Sequence, residues 1–124
     1  MPGRIARTFN AIGGALMQRS GRVGILGTTG AKTGLRRTTP VGYVAHADGS
    51  LLIGSGSREN RGWTVNLRAN PAATFKTRGV ERAYRARLVT AEARPAALAD
   101  LKISMGSYAD RADWGDLFVL EPAG

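Results

Sequence analysis

Apolar positions recur along this chain with two periods, one helical and one strand-like. From residue 4 to 20, Ile5, Phe9, Ile12 and Leu16 fall on a narrow arc at about 100° per residue, with Arg4, Arg7 and Gln18 opposite. This predicts a basic amphipathic helix, weakened at Gly13-Gly14. Strand-like runs follow at Val23 to Thr28, Thr38 to Ala45 and Leu51 to Ser55. The last two are joined by His46-Ala47-Asp48-Gly49, in which Asp48-Gly49 is a hairpin signal. Trp63 and Leu67 share one face of a short predicted helix that ends at Asn70-Pro71, because proline cannot continue it. Ala73 to Thr77 and Arg82 to Thr90 read as strands around a turn at Arg78-Gly79. In the second, Ala83, Arg85 and Arg87 alternate with Tyr84, Ala86 and Leu88, giving one basic, solvated face and one apolar face. Glu92 to Met105 predicts a helix with Leu98, Leu101 and Met105 inward, Pro95 in its first turn and Gly106 at its end. Leu117 to Leu120 closes the pattern as a strand. Six strands joined mostly by hairpin-like turns, with short helices between, predict an α+β fold built on an antiparallel barrel. The expected organisation is an N-terminal helix over residues 1–22 and a single barrel domain over residues 23–124.

Composition narrows the chemistry. The 124 residues contain no Cys and one His, which removes disulfides, thiolate metal sites and a Cys nucleophile, and leaves no metal centre to expect. His46, at a turn, is expected to be a solvated loop residue. No apolar run approaches the roughly 20 residues of a spanning helix, and the start lacks the apolar core of a secretory signal, so a cytoplasmic protein is expected. The net charge of +9 rests mostly on arginine, 15 Arg against 3 Lys. Arginine suits planar recognition of phosphate and carboxylate, and it equally accompanies high-GC coding.

Glycines, hydroxyls and positive charge concentrate in Gly27 to Pro40. Gly30 and Gly34 permit backbone N–H groups to approach a ligand, Lys32 and Arg37 add charge, and the threonines add hydroxyl donors. The segment reads as an anion cradle between two strands, beside the plainer reading of an ordinary inter-strand turn. It is not a Walker A loop, since Ala31 separates Gly30 from Lys32 and no long helical pattern follows. A second loop of small and basic residues, Gly54 to Gly62, offers similar donors or a simple linker.

Together, Thr-Thr-Gly-x-Lys-Thr-Gly-x-x-Arg-x-x-Pro over residues 28–40 and Trp-x-x-Asn-Leu-x-Ala-Asn-Pro over residues 63–71 are specific. With them the chain resembles the deazaflavin-dependent nitroreductase family, the F420H2-dependent quinone and nitro reductases of actinobacteria, from about Val23 to Pro122. The resemblance implies a split β-barrel of the FMN-binding-like type that binds the deazaflavin coenzyme F420 through its phosphate and acidic tail. It implies phosphate and tail contacts at Ala31, Lys32, Thr33 and Arg37. Contacts toward the ring would fall on Thr38, Thr39, Pro40, Val41 and Gly42, partly through backbone, and on the amides of Gly54, Ser55, Gly56 and Ser57. Gly62, Trp63 and Asn66 would complete the pocket.

Tyr108, Arg111 and Trp114 would form the acceptor side, with Tyr108 positioning the substrate and Trp114 serving either as pocket wall or as core. Arg111 stands where quinone-reducing members carry a second tyrosine. The implied acceptor is a quinone or nitroaromatic. Two readings of residues 1–20 stay open: the apolar stripe packs on the barrel, or it attaches the protein peripherally to the anionic inner face of the cell membrane. Competing functions are an FMN- or haem-binding split barrel and a basic, non-enzymatic nucleic-acid binder. The second lacks a strand of alternating aromatic and basic residues to serve as a stacking platform, so no nucleic-acid partner is expected.

Overall fold

The computed structural model describes residues 22–55, 62–106 and 114–123. The expected helix over residues 1–20 therefore lies outside the described residues, as do Gly56, Ser57, Tyr108 and Arg111. Six strands, β1 (Arg22–Thr29), β2 (Arg36–Ala45), β3 (Leu51–Gly54), β4 (Ala72–Thr77), β5 (Val80–Leu88) and β6 (Leu117–Pro122), close in the order β1-β2-β3-β6-β5-β4. Every pairing is antiparallel. Two helices complete the described fold, α1 (Gly62–Ala69) and α2 (Arg94–Met105). The predicted α+β barrel is thus a closed one, and its strands match the expected runs to within a few residues at each end.

Two apolar clusters explain the alternation. The barrel interior holds Leu26, Val41, Tyr43, Leu51, Ile53, Phe75, Tyr84, Phe118 and Leu120, with Tyr43 and Phe75 meeting edge to face at 5.1 Å. Trp63 and Leu67 of α1, expected on one face, enter the same cluster, and Trp63 tilts against Phe118 at 5.9 Å. Each such buried side chain contributes about 1.5–3 kcal/mol over an exposed one. The second cluster lies outside the barrel. Leu52 and Leu117 face outward but are covered by Ala97 and Leu101 of α2. This is why all four residues of β3 are buried and why the strand reads as an unbroken apolar run. Leu88, expected on an apolar face, is instead 39% exposed because it lies at the end of β5.

The ladder registers divide the barrel into two ends. At the lower end lie the turns at His46–Gly49 and Arg78–Gly79, where Gly49, Arg78 and Gly79 take positive φ. His46 stands at the turn as expected, its side chain 34% exposed and also held by neighbours. Its Nδ1 lies 3.2 Å from the Ser50 hydroxyl and its Nε2 3.5 Å from Asp100 of α2. At the upper end are the β1–β2 loop and the ends of β3 and β5. The barrel closes through a short seam: β1 pairs with β2 over eight positions but with β4 over three, Ile25 to Gly27 against Lys76 to Thr74. Arg36 of β2 crosses this seam on the outside, reaching Thr74 Oγ1 at 3.0 Å and Glu81 at 3.1 Å. It passes over Gly27, where an added Cβ would meet its Nη2 at 2.8 Å.

Candidate functional site

The cradle segment forms the β1–β2 connection, and it closes on itself. The Gly30 N–H donates to the Leu35 carbonyl at 2.7 Å, the Gly34 N–H to the Gly30 carbonyl at 2.9 Å, and the Leu35 N–H to Thr33 Oγ1 at 3.1 Å. A Cβ on Gly30 would meet Thr33 Oγ1 at 2.7 Å, so the loop folds this tightly only around glycine. From α1, Asn66 ties the loop down twice: its Oδ1 accepts from the Ala31 N–H at 2.9 Å and its Nδ2 donates to Thr28 Oγ1 at 3.1 Å. The glycine-rich backbone thus spends most of its donors on its own shape, contrary to the expectation that they face a ligand. Among the described residues, the N–H groups left without a protein acceptor in the loop tip are those of Lys32 and Thr33.

Between this loop, the start of β2 and α1 lies a cleft of about 570 Å³. Ala31, Lys32, Thr33, Arg37, Thr38 and Thr39 line one side, and Gly62, Trp63, Val65 and Asn66 the other, with Thr28 and Gly30 at the base. Among the described residues, no carboxylate lines it. Among the described residues neither Lys32 nor Arg37 has an acidic partner, whereas neighbouring Arg36 is paired to Glu81 on the outer face. Strand alternation produces this division: consecutive arginines point to opposite sides of β2, one across the seam and one into the cleft.

The remaining expected residues fall elsewhere. Pro40, Val41 and Gly42 lie further down β2, with Val41 packed into the barrel interior and 5% exposed, and none of them lines the cleft. Gly54 and Ser55 are buried at the upper end of β3 and also stand apart from it. Trp114 packs in the outer cluster with its ring against Gly54. Asn66 lines the cleft, but its amide is committed to the loop. Three lining residues were not among the expected contacts: Thr28, Gly30 and Val65. The first two stand in the quoted glycine-threonine run, while exposed Val65 gives no signal beyond its place beside Trp63.

A six-stranded antiparallel barrel with a cationic cleft between its β1–β2 loop and a short helix is a split-barrel architecture. The sequence model of the F420H(2)-dependent quinone reductase family matches residues 3–122, and the chain belongs to that family. An F420H(2)-dependent quinone reductase of Mycobacterium tuberculosis is 45% identical over 49 residues, which are 38% of this chain and 33% of that relative. The match thus spans about one third of the relative's length. Among solved structures, an F420-H2 dependent reductase superposes with a TM-score of 0.64 at 21% identity, covering 80% of this chain and 93% of the other. A heme binding protein from Mycobacterium smegmatis superposes with a TM-score of 0.67 at 18% identity, covering 98% of this chain and 51% of the other. At such identities these likenesses establish the barrel fold.

Proposed function

We propose that this chain is an F420H2-dependent reductase that passes a hydride to a quinone, with nitroaromatics as incidental acceptors. The observation that carries this reading is the cleft itself: among the described residues, two cations without acidic partners, two backbone N–H groups without acceptors, and no carboxylate in the lining. That donor set suits a phosphate and a run of carboxylates, which charge-assisted hydrogen bonds hold more strongly than neutral ones. When bound, the reduced deazaflavin supplies the hydride from C5 of its ring. The protein's part is to bind, orient and shield. Lys32 and Arg37 hold the phosphate and tail, with the N–H groups of Lys32 and Thr33 beside them. Trp63 and Val65 give the cleft an apolar wall, and Asn66 holds the loop in its gripping shape. Tyr108 is assigned to position the acceptor.

The competing readings have less support. Haem ligation by histidine would require His46, which stands at the lower end of the barrel, away from the cleft. Several outer-face arginines, Arg36, Arg68 and Arg87, are matched by Glu81, Asp116 and Glu121, which weakens the case for a nucleic-acid surface. Residues 1–20 are proposed to hold the enzyme at the anionic inner face of the membrane, beside a lipid-soluble acceptor. Equal binding to anionic liposomes with and without those residues would remove that part.

Titrating F420 while following its fluorescence tests the main reading. We expect binding at micromolar coenzyme and oxidation of F420H2 when menadione is added. No binding in that range would refute it.

A further inference from the structure

Thr28 is only 4% exposed, and it stands at the base of the cleft. The direction of its O–H bond follows from its neighbours. A backbone N–H can only donate, so the Asn66 atom that lies 2.9 Å from the Ala31 nitrogen is the carbonyl oxygen Oδ1. The other end of that amide is then its NH2 group, and this end faces Thr28 Oγ1 at 3.1 Å. An amide NH2 only donates, so the Thr28 oxygen must accept, and its own proton is turned elsewhere. Among the described residues no acceptor receives that proton. A buried donor left in this way is costly and calls for a partner. The ladder register shows what kind of partner fits. Thr28 stands directly opposite Arg37 on β2, and opposed residues of an antiparallel pair share a face with their Cβ atoms about 4.5–5.5 Å apart. A buried neutral donor therefore sits beside a cation that has no acidic partner among the described residues, and both line one cleft.

We propose that Thr28 is a ligand-binding residue whose hydroxyl donates to an anionic oxygen, of phosphate or carboxylate, held next to Arg37, and that Asn66 sets the direction of its proton. The assignment rests on the functional reading above, which puts the phosphate and tail of the coenzyme in this cleft. It gives Asn66 a second task besides holding the loop: the Ala31 N–H fixes the amide, the amide fixes the hydroxyl, and the hydroxyl meets the ligand as a donor.

The test measures F420 affinity by fluorescence titration, and amide hydrogen exchange at Ala31 on coenzyme-free protein, in wild type, Thr28→Ser and Thr28→Val. Thr28→Ser keeps the donor and should bind within about twofold of wild type. Thr28→Val keeps the shape but loses the O–H, so affinity should fall by about fivefold or more. Exchange at Ala31 should stay within about twofold in both, because Asn66 Oδ1 still accepts from that N–H. Thr28→Cys, with only a weak S–H donor, should lose affinity as Thr28→Val does and decides the matter if Thr28→Val does not fold. Wild-type affinity in Thr28→Val, or in Thr28→Cys where it stands in, overturns the assignment. A loss matched by equally quickened exchange at Ala31 also overturns it, since the threonine would then act only by holding the loop. A wild-type protein that binds no F420 overturns the functional reading and this assignment with it, whereas wild-type binding that survives loss of the hydroxyl overturns the assignment alone.

Discussion

The two ends of this barrel are built from the same strands and solve different problems. At the lower end, short turns at His46–Gly49 and Arg78–Gly79 return the chain at once and satisfy their own groups, as Asp48 does by accepting from both the N–H and the hydroxyl of Ser50. At the upper end the connections are longer, and Lys32 and Arg37 face a cleft without acidic partners among the described residues. Polar groups are paired within the lower turns, whereas among the described residues the upper cleft keeps the side chains of Lys32 and Arg37 and the N–H groups of Lys32 and Thr33 without protein partners. Stability and binding should therefore respond to different substitutions.

The largest effect should come from the shared interior. Ile53→Ala removes a fully buried side chain and should cost about 2–5 kcal/mol in denaturant unfolding, with F420 affinity of the folded protein unchanged. A large loss of affinity in the folded mutant would break the separation. Lys32→Glu should do the reverse, weakening F420 binding about 30-fold with little change in Tm, whereas Arg82→Glu at the lower rim should leave binding within about twofold. Equal effects at the two positions would discredit the cleft assignment. Asn66→Ala frees the loop without altering charge, so binding should fall by a smaller factor, about five- to tenfold, and solution exchange of the Ala31 amide should quicken.

The smallest effect belongs to the lower end. Hydrogen bonds from the Ser50 hydroxyl and N–H hold the Asp48 carboxyl below its ordinary value of 3.8. A group depressed in the folded state stabilises above its unfolded value, and the contribution is lost as pH falls through the folded value. Asp48→Asn should thus destabilise by less than about 1 kcal/mol at pH 7, given the exposure of the carboxyl. The gap to wild type should close in strongly acidic solution. A gap that widened on acidification would reverse the assignment.

Much of the fold was legible because its signals are local. Asp48-Gly49 and Arg78-Gly79 marked the hairpins, Trp63 and Leu67 marked the buried face of α1, and Pro95 and Gly106 bracketed α2. What pattern alone misses is pairing across distance. Nothing around Ile25 announces that β1 meets β4, and nothing around His46 announces Asp100. The cleft was legible as a basic, glycine-rich loop, but not in its division of labour. Whether a backbone N–H faces a ligand or its own loop depends on Asn66, 35 residues from Ala31.

The two long-range joints of the barrel, β1 with β4 and β3 with β6, have a bearing on how the molecule is made. The β1–β2–β3 and β4–β5 pairings join near neighbours in the chain, whereas Leu26 with Phe75 and Ile53 with Phe118 come together only after long loops are closed. Rolling the sheet shut is therefore the step we expect last in folding, and only then does α1 rest against β1 and seat Asn66 on Thr28 and Ala31. Competence to bind coenzyme should be acquired late, when the barrel closes, so that ligand binding during refolding becomes a clock for that final event.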